Sequence, residues 1–318
     1  MKKNFLLLCC LVSLKIFAQN DSSSMTIIDK STKTETGEAT PVKVFYSQRL
    51  INTNTVEVLP KGILEFRVAH TFGDIAGDNG GIKKFFGLDD APDVKVGFQL
   101  GLSKKLNILG ARTRGNSAVA QLWEFALKYQ FLQQMENDPH HPFSMTIFTN
   151  IVAAAVKASP LPNNENSFTG FGDRLSEIVQ LMLAKKIGGV SLQLNPTYFH
   201  RSVTIPGGDK SIFVIGGGVR LPITKKFSLI SDYFHPFFSK DNINANRARG
   251  VELYDAFSVG FEILTYGHIF HLNFTNSKEI LENKFIPRTT TSWGKGEFRW
   301  SFSLERNFRV FRDKKTNQ

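Results

Sequence analysis

A histidine beside a serine is the arrangement in this chain that comes nearest to a nucleophile. His200-Arg201-Ser202 sets a base and a hydroxyl two residues apart, hence on one face of an extended strand. A histidine that accepts a serine proton, itself oriented by a third group, does acyl transfer. The third group is not in the pattern. Val203-Thr204-Ile205-Pro206 follows, and the next apolar run, 212–221, holds no asparagine. The bland reading, a histidine at a strand end, is preferred, and a lipid hydrolase built on His200 and Ser202 is kept as a minor alternative. The expectation is that the chain is not an enzyme.

Metal chemistry fares no better. Of seven histidines, His140-His141 are adjacent in an expected turn, and His268 and His271 stand three apart, which sends them to opposite faces of a strand. Both cysteines, Cys9 and Cys10, lie at the extreme N-terminus. The acidic, glycine-rich run Gly73-Asp74-Ile75-Ala76-Gly77-Asp78-Asn79-Gly80-Gly81 lacks the ligand spacing and closing Glu of an EF-hand loop. No metal and no cofactor are expected. The formal charge of +11 raises nucleic acid as a partner, but Lys and Arg are scattered through turns and strand interiors, so none is expected.

The elements that would carry these residues are strands. Leu64, Phe66, Val68, His70 and Phe72 alternate with Glu65, Arg67, Ala69 and Thr71. Trp123, Phe125, Leu127, Tyr129 and Phe131 alternate with Glu124, Ala126, Lys128 and Gln130. Period-two alternation puts each set on its own face. Three basic turns, at Lys104-Lys105, Lys185-Lys186 and Lys225-Lys226, join such runs in pairs. Longer Gly-, Asn-, Asp- and Pro-rich connections alternate with these turns, the connection Gln133–Pro142 on the short-turn side being the exception. About twelve strands result. Short turns at one end and long loops at the other are the wiring of an all-β, antiparallel transmembrane β-barrel with both termini in the periplasm. A soluble sandwich shows the same alternation but has no reason to gather its long loops at one end. Mean hydropathy is only −0.15. That value fits a barrel in which every second strand residue meets lipid.

The domain organisation follows. Residues 1–18 (Lys2 and Lys3, an apolar run from Phe5 to Phe17, then Ala18) read as a signal peptide. A lipoprotein signal ending at Cys10 would have too short an apolar stretch. Residues 19–58 are expected to be a flexible periplasmic leader or a plug segment, with a partly ordered lead-in preferred. The barrel is placed at 59–311 and a polar C-terminal tail at 312–318. The expected location is the outer membrane of a Gram-negative bacterium, in contact with bilayer lipid and lipopolysaccharide and built by the barrel-assembly machinery.

Eleven charged positions are assigned to the lumen: Glu65, Arg67, Lys95, Glu124, Lys128, Glu177, Arg220, Glu262, Glu297, Arg299 and Glu305. They form either a charged solute pathway or a salt-bridged filling, and the second is favoured in a barrel this narrow. Mixed signs argue against strong ion selectivity. The leading functional expectation is passage or binding of a small solute across the outer membrane. The alternative is a closed structural or docking barrel that holds a partner through its outer loops or leader.

Several runs carry a family resemblance. They are Arg49-Leu50-Ile51-Asn52, Val56-Glu57-Val58-Leu59-Pro60-Lys61-Gly62, Phe66 to Asp74, Phe85-Phe86-Gly87-Leu88-Asp89, Asp173-Arg174-Leu175-Ser176, Phe199-His200-Arg201, Gly267-His268 through Thr275-Asn276-Ser277, and Trp293-Gly294-Lys295-Gly296-Glu297. Together they resemble the bacterial outer-membrane β-barrels of domain of unknown function family 5777, over about residues 45 to 308. The resemblance implies a membrane barrel of unassigned role and carries over no catalytic residue.

Overall fold

A computed structural model describes residues 38–311. The expected signal peptide, the first part of the leader and the C-terminal tail lie outside them. Twelve strands close into one antiparallel barrel: β1 (Ile63–Asp74), β2 (Asp93–Gly101), β3 (Leu106–Gly115), β4 (Gln121–Leu132), β5 (Ser144–Ala154), β6 (Leu175–Ile187), β7 (Val190–Arg201), β8 (Ser211–Pro222), β9 (Phe227–Phe237), β10 (Ala256–Leu264), β11 (His268–Thr275) and β12 (Arg299–Arg309). Each strand pairs with its sequence neighbours, and β12 closes on β1, with Glu305 opposite Arg67. Closure leaves no unpaired edge, which the hydrocarbon interior of a membrane requires. Among the described residues no helix is long and apolar enough to cross a membrane.

The two faces settle the choice between sandwich and membrane barrel. On β4 the outward residues Trp123, Phe125, Leu127 and Tyr129 are the exposed ones, while Glu124 and Lys128 are buried. The same inversion recurs on β8, where outward Phe213 is half exposed and inward Arg220 is buried. A contiguous exposed apolar band around a polar interior is the surface of a protein whose solvent is lipid.

The connections alternate as the sequence predicts. Residues 102–105, 133–143, 188–189, 223–226 and 265–267 link strands at one end, which is the periplasmic end. The other end carries most of the longer loops, one of which forms α1 (Lys240–Arg247), although 133–143 on the short-turn side is longer than the external connections 116–120 and 202–210. That helix was not expected, because it holds no apolar stripe. It is started by Ser239, whose side chain accepts from the Asn242 N–H.

The interior is not open. Residues 42–59 enter from the periplasmic end, turn near Leu50–Asn54 and return to β1. This is the course of the plug segment kept as an alternative for this stretch, not of the preferred lead-in. Val44, Phe45, Leu50, Ile51 and Val56 form an apolar core inside the lumen with Phe148, Met182 and Ile230. Fully burying each such side chain contributes about 1.5–3 kcal/mol. This preference draws the segment inward. Two glycines make room for it. A Cβ at Gly218 would overlap the end of the Leu50 side chain and crowd Thr53, and one at Gly101 would collide with the carbonyls of Leu59 and Pro60. From the outside, connection 276–298 folds down over the mouth as a lid that carries α2 (Glu282–Phe285). Leu281, Phe285 and Ile286 are buried within it, and the Phe285 ring meets Phe234 edge-on at 5.1 Å.

Candidate functional site

The candidate site is the filled lumen together with the cup above it. Lumen side chains grip the entering hairpin along its length. Near the periplasmic end Ser191 Oγ donates to the Val44 carbonyl (2.5 Å), and Glu57 accepts the N–H groups of Val44 and Phe45 (2.8 and 3.0 Å). Thr146 and Gln130 both donate to the Val56 carbonyl, while Gln193 accepts the Val56 N–H and donates to the Asn54 carbonyl. At the tip the Asp232 carboxylate accepts the N–H groups of Asn52 (2.6 Å) and Thr53 (2.9 Å), and Asn52 donates to Ser258. Backbone N–H groups that would be orphaned inside the barrel are thereby satisfied, those of Asn52, Thr53 and Val56 by the wall and those of Val44 and Phe45 by Glu57 of the hairpin itself.

Hairpin and lid meet in the middle. Arg49 Nη2 lies 2.9 Å from Glu282 Oε1, with both side chains buried, and Asn54 Nδ2 donates to the same oxygen at 2.9 Å. Burial works against the Arg49 charge, but Glu282 and Glu124 outweigh it and hold the guanidinium above its ordinary value. Lower down, burial is the larger cause of two opposite shifts. It pulls Lys43 below its usual range and pushes Glu57 above its own, each partly opposed by the other's charge. The lid is pinned to the wall at several points. The Ile280 N–H donates to Asp93, Asn283 bridges Asn150 and Ser176, and Lys284 donates to the Val119 carbonyl.

Nine of the eleven expected lumen charges face inward, and they pair in three ways. Arg67 and Glu305 pair across the β1–β12 seam. Lys95 with Glu124 (2.5 Å) and Arg220 with Glu262 (2.6 Å) each reach over an intervening strand, and Glu262 also faces His271 at 3.6 Å. Others meet the filling: Lys128 donates to Gln48 Oε1 at 3.0 Å, and Ser47 of the hairpin donates to Glu305. Glu65 is buried beside them, and Arg299 pairs with Asp74 at the outer rim.

Two assignments are corrected. Glu177 points outward and is exposed, because the inward set on β6 is Ile178, Gln180, Met182 and Ala184. Both faces of that strand are apolar, since Met182 packs on the hairpin, so its alternation does not reveal which face is inside. Glu297 lies before β12, in the turn that follows Trp293–Lys295, where it accepts the Ser292 N–H. His200 faces outward, and its Nδ1 lies 2.9 Å from Ser211 Oγ on the adjoining strand rather than against Ser202. Among the described residues no group of three His, Cys, Asp or Glu side chains could hold a metal ion.

Sequence reasoning missed Arg49, Asn54, Asp232, Glu282 and Asn283. Arg49, Asn54, Glu282 and Asn283 lie outside the alternating runs. Apolar residues at Leu281, Phe285 and Ile286 set this connection apart, since an external loop with no packing role has no use for them.

Above the lid is a cavity of about 460 Å³, walled by loops 116–119 and 155–174, the end of β7 and the lid. Arg174, Arg201, Lys284 and Arg288 lie around it with Glu165 and Asp173. Burial lowers Lys284 from its ordinary value, with Glu279 and Asp93 opposing.

A family described as a membrane-bound β-barrel domain (DUF5777) matches residues 45–308. The chain belongs to that family. It is therefore a membrane protein, and a closed, even-stranded antiparallel barrel places it in the outer membrane of a Gram-negative bacterium. No curated protein matches it. Among solved structures it is similar to the KdgM porin at 7% identity and a TM-score of 0.45, covering 77% of this chain and 99% of that one. The NanC porin is similar at 7% identity and 0.46, covering 78% and 100%. The COG4313 outer membrane channel from Pseudomonas putida F1 is similar at 11% and 0.44, covering 80% and 98%.

Proposed function

We propose that this barrel passes or binds a small solute across the outer membrane and is closed at rest by its own hairpin and lid. The observation that carries this reading is the cup at the external mouth. Its volume of about 460 Å³ is in the range of small-molecule sites, and Asn283 and Lys284 of the lid line it. A solute settling there touches the element that closes the lumen. Differential contact with the lid is what shifts a gate between its states.

A second reading is favoured by a specific observation. The hairpin is bonded to the wall from Val44 to Val56 and to the lid through Arg49 and Glu282. A filling held this firmly also suits a sealed barrel that docks a partner. Swelling of liposomes containing the refolded protein, in solutes of graded size, separates the two. The passage reading expects slow swelling with wild type and faster swelling once Arg49 and Glu282 are both replaced by alanine. If neither protein admits any solute while both are folded, the sealed docking barrel is the better account.

A further inference from the structure

The cations around the external cup are held unequally. Arg174 Nη1 donates to the carbonyls of Ala154 (3.1 Å) and Val156 (2.6 Å), and its guanidinium lies over the Phe168 ring. Lys284 donates to the Val119 carbonyl at 2.8 Å and to Ser117. Arg174 therefore leans on neutral oxygens, which leave its charge uncancelled, whereas Lys284 also feels the charges of Glu279 and Asp93. Asp173 does not offset the Arg174 charge locally, since it turns back into its own loop and accepts the N–H groups of Thr169 and Gly170. The remaining two arginines share one carboxylate. Glu165 Oε2 is 2.6 Å from Arg288 Nη1, and Oε1 is 4.0 Å from Arg201 Nη1. Glu165 rides on connection 155–174, not on a barrel strand. On one side the cup is apolar, where Phe168 and Val119 pack with Leu122 and Leu281.

We propose that this cup binds a small organic carboxylate, whose acid group takes the place of Glu165 between Arg288 and Arg201 while its apolar body lies against Phe168 and Val119. Glu165 is then a built-in competitor. It offsets one of the two arginine charges until a diffusing carboxylate, favoured by the positive charge left on the pair and by Arg174, replaces it. Arginine suits the task because its planar fork takes a carboxylate through two parallel hydrogen bonds. The proposal rests on reading the cup as the outer end of a solute path.

The test is calorimetric titration of the full-length refolded protein in detergent with benzoate, and with benzyl alcohol as its neutral counterpart. Benzoate is expected to bind saturably and about tenfold or more tightly than benzyl alcohol, the margin of a charge-assisted contact. Arg288→Gln and Arg201→Gln should each weaken benzoate by about tenfold. Glu165→Gln should tighten it, because the internal competitor is gone. Each variant's fold is checked by its gel shift on boiling. Absence of saturable benzoate binding, equal binding of both probes, or weaker binding by Glu165→Gln would overturn the proposal. Benzoate binding to a barrel that never admits solute leaves the site standing and removes the passage reading. Solute entry without benzoate binding does the reverse.

Discussion

At the residue scale the molecule turns on Arg49 and Glu282, a buried ion pair with one member from each side of the membrane. Removing one partner of such a pair strands a charge and costs about 3–5 kcal/mol, whereas replacing both by apolar residues of like volume is near neutral. Glu282→Gln alone should therefore lower the denaturant midpoint of the folded barrel. The double variant Arg49→Met, Glu282→Met should recover most of the loss. Equal losses in single and double variants would mean that the two side chains are not coupled. Gly218 offers a second test at this scale. A valine there would strike Leu50 and Thr53 and should push the hairpin out of its seat. The expected readout is rapid tryptic cleavage at Arg49 in the variant and protection in wild type.

Legibility also varies residue by residue. The inward charges of β1, β2, β4, β8, β10 and β12 could be read from alternation, because each stands on a polar face opposite an apolar one. Glu177 could not, because the hairpin makes the inner face of β6 as apolar as its outer face. Arg49 and Glu282 could not either. Their partners are far away in sequence, and a contact between the leader and the last external connection leaves no periodic trace.

At the scale of elements, the strands obey one rule and the filling another. The strands face lipid with Phe, Leu, Ile and Trp and face inward with Thr, Asn, Gln and paired charge. Leu127→Arg, at mid-strand on the outer face of β4, should therefore destabilise the barrel in lipid vesicles by about 2–4 kcal/mol. A similar stability for Leu127→Arg and wild type in urea titration would contradict the assignment of that face to lipid. The hairpin and lid behave like a small soluble core, with Val44, Phe45, Leu50 and Val56 packed out of reach of either phase. Strand number, loop alternation and closure were legible because they repeat. The inward course of residues 42–59 was not, since the apolar residues that drive it have no clean period.

The molecule as a whole is a lipid-facing cylinder whose lumen is occupied from below by its N-terminal hairpin and roofed by its last external connection. A family of membrane-bound barrels supplies its place in the cell, and the charged cup above the lid supplies the functional reading. The most direct test of the central claim, that hairpin and lid close the barrel, is single-channel recording in a planar lipid bilayer. Wild-type protein should be silent or open only briefly, and Gly218→Val should give longer openings of larger conductance. Steady, wide conductance from the folded wild-type protein would contradict the account.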